Sequence, residues 1–315
     1  MRVNDILVGQ SSWRSPSEPL YPWVNTISRI LSVQDLPELG GEVLYVVSDY
    51  GGNHQKSKYL TTSILLMDLG NSSEWELKRR DVRESHLRDG RRMSFKGLND
   101  VHRRRALVPF LKAADSIHGI CVTIAVHKSI RFLCTDKENW PSLMPSLKLQ
   151  ARWSNGAFEN AMRLVHFVSL LVGGFSRKGQ EVYWISDQDD FFANRIFSED
   201  VAAMVSRFTS HYAKHPLAKL GVGTTDLDEG DRLEEDLAAI PDLAAGAVSD
   251  IATAIANASG GRLPDGIAIE VPKLSGKAEL LTDWLADHGQ RLKRPIISFD
   301  RAEKGAFRVS RFGLS

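Results

Sequence analysis

Cysteine is nearly absent from this chain. Its 315 residues hold two, Cys121 and Cys134, too few for a disulfide framework or a four-ligand cysteine zinc site, and in keeping with a reducing compartment. A long apolar run is missing too. The stretch from Leu164 to Phe175 is broken by His166, Ser169, Gly173 and Gly174 and is too short to span a bilayer. The opening 22 residues carry Arg2, Asp5, Arg14 and Glu18 and lack the apolar centre of a signal peptide. A cytoplasmic location with no membrane contact is expected. There is no Walker loop, no Gly-x-Gly-x-x-Gly and no Gly-x-Ser-x-Gly, which argues against P-loop nucleotide hydrolysis, a Rossmann dehydrogenase and an α/β-hydrolase. Internal repeats and low-complexity tracts are also lacking.

What is present is the composition of an ordinary globular protein, 43% hydrophobic and 25% charged with a net charge of +1. The length suits one large domain, or one with an extension. The charge is unevenly spread. Residues 78 to 105 carry eleven Lys or Arg against four acids, a net of +7. Residues 199 to 250 carry eleven acids against Arg207, Lys214, Lys219 and Arg232, a net of −7. Lys96, Arg91, Arg92, Arg103 and Arg104 in the basic run are candidates to follow a nucleic-acid backbone, because Lys and Arg neutralise phosphates. The alternatives are a solvated face, or a patch that neutralises the acidic region of the same or another chain.

Hydrophobic patterning orders the chain. A short helix is predicted over Trp23 to Leu31 within a lead-in, residues 1 to 40, that packs on the core. Strands are predicted at Glu42 to Ser48 and Tyr59 to Met67, joined as an antiparallel hairpin, with further strands at Trp75 to Arg80 and Met93 to Gly97. A helix follows from Asp100 to Ala114, then an apolar strand, His118 to Val126, then a loop with Trp140, Pro141 and Pro145. A long helix from Asn155 to Val172 is read as ending at Gly173-Gly174. Next come a strand at Glu181 to Ser186, a helix from Ser198 to Tyr212 and a strand at Leu220 to Thr224. After an acidic stretch, Asp226 to Asp236, Pro241 reads as the first residue of a helix reaching Ala258. Residues 259 to 315 read as an extension packed on the core, with a helix at Lys277 to His288 and a hairpin of Ile296 to Phe299 with Phe307 to Val309. Antiparallel strands followed by alternating strands and helices give an α/β domain on a mixed sheet flanked by helices, spanning residues 41 to 258. This is also the chain order of the ribonuclease H-like fold.

Three acids stand out in that frame. Asp49 follows the strand Val43 to Val47 and precedes Gly51-Gly52, a position suited to holding a metal ion or polar ligand. Asp187 ends the strand at Glu181 to Ser186, and Asp242 sits one residue past Pro241, where a helix dipole would favour its ionised form. Carboxylates from separate strand and helix ends suit Mg²⁺ or Mn²⁺, hard cations that prefer oxygen. Asp189, Asp190, Asp226 and Asp236 are the reserves for this centre. His54 reads as a surface-loop residue within reach of a proton-transfer role, and His166 as a hydrogen-bonded core residue.

The sequence Ser48-Asp49-Tyr50-Gly51-Gly52, then Ser94-Phe95-Lys96-Gly97, then Trp184-Ile185-Ser186-Asp187, then Ala238 to Gly246 resembles, in that order, the motifs of the bacterial domain-of-unknown-function family 3800. Tyr50 and Ser94 stand where that family has glutamates. The resemblance covers residues 42 to 258. It implies a ribonuclease H-like fold and a metal-dependent nuclease, or a nuclease-derived protein, acting on DNA or RNA with Asp49, Asp187 and Asp242 as catalytic metal ligands. Phage-defence, mobile-element or toxin contexts are likewise only implied by the resemblance. The missing glutamates favour the alternative, an inactive scaffold or accessory subunit that binds a protein partner or a second copy of the chain.

Overall fold

A computed structural model describes residues 12–135, 140–186, 192, 194–228, 230–264, 272–302 and 306–314. Its strands are β1 Val43–Gly51, β2 Tyr59–Asp68, β3 Gly119–His127, β4 Glu181–Ser186, β5 Lys219–Thr224, β6 Leu292–Lys293, β7 Ile296–Arg301 and β8 Phe307–Phe312. The helices are α1 Pro22–Ser32, α2 Ser73–His86, α3 Val101–Ala114, α4 Trp140–Leu147, α5 Asn155–Phe175, α6 Arg195–Tyr212, α7 Leu233–Ala258 and α8 Gly276–Ala286.

The strands form one sheet in the order β5-β4-β1-β2-β3-β7-β8, with β6 pairing on β3. β2 runs antiparallel to β1 and to β3, whereas β4 is parallel to β1 and β5 to β4. The β3-β2-β1-β4-β5 portion is the ribonuclease H-like mixed sheet. β7 continues it in parallel beside β3, and β8 closes that side antiparallel to β7.

Strand alternation sorts side chains onto two cores. Leu44 and Val46 of β1 join α1, α5 and α6 on one face. Tyr45 and Val47 join α2, α3, α7 and α8 on the other. From residue 12 on, the N-terminal lead-in packs on the first core, where the Trp13 ring meets Phe175 edge-on at 5.2 Å. Among the described residues α7 is the one helix long and apolar enough to cross a membrane, and its apolar side chains form the second core. Cys121 and Cys134 are both buried and unbridged.

Several local expectations are corrected. Trp75 to Arg80 lies inside α2 and is not a strand. Trp75, Arg79 and Val82 form its buried stripe, acids occupy its first turn and basic residues its last. Met93 to Gly97 is not a strand either; it leads into a 3-10 turn, Lys96–Asn99, after which Asp100 caps α3 by accepting from the backbone N–H groups of His102 and Arg103. The stretch with Trp140 and Pro145 is helical. Gly173 and Gly174 do not end α5. A Cβ on Gly174 would fall 2.1 Å from the Trp13 ring, and one on Gly173 2.9 Å from the Tyr212 backbone, so these glycines serve close packing, not termination.

Candidate active site

β1 runs through Asp49, and the turn begins only at Gly52, where φ is +85° and a Cβ would fall 1.9 Å from the Tyr59 carbonyl oxygen. By the alternation of the strand, Asp49 shares the α7 side with Tyr45, Val47 and Gly51. It is 8% exposed. Its Oδ1 accepts a 2.6 Å hydrogen bond from the Tyr50 N–H, and Arg92 Nη2 stands 3.9 Å from Oδ2.

Asp242 is not in the first turn of a helix. α7 starts at Leu233, so Pro241 is interior and the dipole argument fails. The helix already includes the upstream run Leu233 to Ile240, with Glu234, Glu235 and Asp236 in its first turn. Asp242 is oriented by a different donor: Oδ2 accepts a 2.7 Å hydrogen bond from the Phe95 N–H.

Three contacts show that α7 lies along β1 in the same direction. The Tyr45 hydroxyl donates to Glu234 Oε1 at 3.1 Å, a Cβ on Gly51 would meet the Ala245 carbonyl oxygen at 2.8 Å, and Ser249 Oγ donates to the Tyr59 carbonyl at 3.4 Å beside Gly52. From the Gly51–Ala245 contact, Asp242 is three residues back along the helix, about 4.5 Å, and Asp49 two residues back along the strand, about 7 Å. Asp242 shares a helix face with Ala245 and Gly246. The two carboxylates therefore stand at similar height between the same two elements. The Arg92–Phe95 segment touches both.

Asp187 lies outside the described residues, as do Asp189 and Asp190. The strand leading to it ends at Ser186, which pairs with Ser48 in β1 and has its Oγ 3.3 Å from the Tyr50 hydroxyl. Tyr50 thus reaches the face opposite Asp49. Asp226 is exposed in the 3-10 turn, Thr225–Leu227, that follows β5 at the same end of the sheet. Asp236 is not part of this site. It takes 2.5 and 2.9 Å hydrogen bonds from Arg83 and one of 3.2 Å from Arg79, which is 1% exposed. Burial raises the Asp236 pKa, against the pull of Arg83 and then Arg79.

The basic run divides accordingly. Arg79 and Arg83 neutralise the acidic region of the same chain, Arg79 also pairing with Asp231 at 3.0 Å. Arg91 pairs with Asp89 and with Asp100 at 2.7 Å, while Arg103 donates to the Arg92 carbonyl. Lys96 and Arg104 are exposed, and Arg104 donates to the Asn99 carbonyl at 3.3 Å. His54 is a surface residue 3.9 Å from Asp250.

The sequence reading passed over one cluster. Carboxylate oxygens of Asp228, Asp231 and Glu234 lie within 4.8 Å of one another, close enough to hold a metal ion. They also cap the start of α7: Asp228 accepts from the Gly230 and Arg232 N–H groups, and Asp231 from that of Leu233. The dense acids between Asp226 and Asp236 were the available signal.

Compared with models of protein families, with curated proteins and with solved structures, the chain finds no match.

Proposed function

We propose that the chain is a ribonuclease H-like phosphodiesterase acting on DNA or RNA in the cytoplasm, related to domain-of-unknown-function family 3800, with Asp49 and Asp242 as its central acids. The observation that carries this reading is their placement: two carboxylates from the adjacent elements β1 and α7, each accepting from a backbone N–H and, by strand and helix rise, at similar height. The donors are all oxygens and Asp49 is buried, which fits a hard divalent cation such as Mg²⁺ or Mn²⁺. When bound, such an ion supplies polarisation of the phosphate and activation of water. Asp49 and Asp242 would hold it, with Asp187 and the exposed Asp226 as further oxygen donors. Arg92, 3.9 Å from Asp49, adds positive charge where a phosphate would enter, and the Phe95 N–H fixes the Asp242 carboxylate.

A second reading, a scaffold without activity that binds a protein partner or a second copy, draws support from the same Arg92. Its guanidinium lies near Asp49 as an internal counter-ion, and Tyr50 and Ser94 stand where the related pattern has glutamates. Cleavage of single- and double-stranded DNA and RNA with Mg²⁺ or Mn²⁺ separates the two. Wild type is expected to cut at least one substrate, and Asp49→Asn and Asp242→Asn to fall at least ~100-fold with unchanged melting temperature. Equal, poor cleavage by all three leaves only the scaffold.

A further inference from the structure

A cleft of about 840 Å³ opens next to Phe95, between the 3-10 turn Lys96–Asn99 with α3 on one side and the first turn of α8 on the other. Phe95, whose N–H holds Asp242, turns its side chain into this cleft, and Asn53, one residue past the Gly52 turn, lines it as well. The cleft thus adjoins the segment that orients Asp242, and borders the turn that follows the strand carrying Asp49.

Its cations differ from the arginines of the basic run that neutralise the chain's own acids. Arg79, Arg83 and Arg91 are paired with carboxylates. Lys96, Arg104 and Lys277 line the cleft from three different elements, and among the described residues none of them pairs with a carboxylate. Arg104 and Lys277 are instead held by backbone carbonyls, Lys277 donating to that of Lys96 at 2.9 Å. Among the described residues Asp250 is the only acid in the lining, and it accepts from Ser275 Oγ and lies 3.9 Å from His54. The cleft therefore carries a surplus of positive charge. Beside the polar Asn53, Asn99 and Ser275, the lining offers apolar surface from Phe95, with Lys277 Nζ 5.7 Å from its ring centroid, and from Leu280, which is 45% exposed; Leu98 lies buried beneath.

We infer that this cleft binds a single-stranded nucleic acid, with Lys96, Arg104 and Lys277 on its phosphates and Phe95 and Leu280 against its bases. Cations alone would suit a duplex equally. An apolar floor between them has a use only when bases are unpaired and free to stack. The inference rests on the nucleic-acid part of the proposed function and adds the strandedness, the path and a contribution from α8.

The test is fluorescence anisotropy of labelled 15-nucleotide single strands, DNA and RNA, and of the matching duplexes, with the full chain in EDTA so that no cleavage intervenes. Wild type is expected to bind at least one single strand more tightly than its duplex. The Lys96→Ala/Arg104→Ala/Lys277→Ala variant should lose at least tenfold in affinity, with its salt slope smaller by roughly 0.7 per cation removed. Lys112→Ala, elsewhere on α3, should bind like wild type, and all variants should melt as wild type does. Unchanged single-strand binding by the triple variant overturns the assignment, as does equal binding of duplex and single strand. Single-strand binding lost in the triple variant, combined with no Mn²⁺-dependent cleavage by wild type, sinks the nuclease reading and leaves the cleft assignment standing.

Discussion

His166 is fully buried in α5, its Nδ1 3.0 Å from the Tyr212 hydroxyl and its Nε2 3.4 Å from that of Tyr21. Burial, with a smaller contribution from nearby His211, pushes its pKa down to about 3 from the usual 6.5. The folded chain therefore keeps this imidazole neutral, whereas the unfolded chain protonates it below about 6.5. The stabilisation is fully present above that pH and is lost as pH falls toward 3, by up to about 1.4 kcal/mol per pH unit. Urea denaturation at a series of pH values should show a shallower decline between pH 6 and 4 for His166→Gln than for wild type. Parallel declines would exclude His166 as a source. At this scale the sequence was legible where one residue declares its own surroundings, as His166 does amid apolar neighbours. It was not legible where a partner is remote: the donor to Asp242 is a backbone N–H 147 positions away, in a segment whose side chains mention no carboxylate.

At the scale of elements, the strands of the central sheet were readable because each carries a period of two or an unbroken apolar run, and β1, β2, β3, β4 and β5 fall close to where that pattern puts them. The segments that failed are those in which tertiary contact overrides local preference. Pro241 reads as a helix start, yet lies inside α7. The hydrogen bond that proline removes is a small loss beside the apolar face that α7 buries on β1, β2 and β3. Close approach by α7 also sets Gly246, where a Cβ would fall 2.3 Å from the Phe95 ring. Gly246→Ala must displace Phe95, and with it the N–H that orients Asp242. A loss of about 1 to 3 kcal/mol in stability is expected by chemical denaturation. Adding Phe95→Ala to the same chain should cost less than the sum of the two single changes, because the clash is then gone. Additive losses would show that the two residues do not meet.

For the whole molecule, one sheet with helices on both faces makes two cores that share every central strand. That layering was implicit in the order of the elements, since antiparallel strands followed by β-α-β crossovers admit few arrangements. The addition of β7 beside β3 was not, because a hairpin near residue 300 does not declare which edge it joins. The order has a further effect on the candidate site. β1 is hydrogen-bonded on both sides, with α5 on one face and α7 on the other, whereas β5 is an outer strand whose residues are half-buried or exposed. Opening free energies in proteins run from near zero at such margins to the global value at the centre. Native-state hydrogen exchange should therefore find β5 amides exchanging through local opening, orders of magnitude faster than those of β1; matched rates would contradict it. Asp226 follows β5, while Asp49 and Asp242 belong to β1 and α7. Asp49 and Asp242 are thus expected to hold their relative places until the sheet itself opens, while Asp226, a reserve donor in the proposed site, rides on a margin that opens first: a fixed jaw and a hinged one set by strand order.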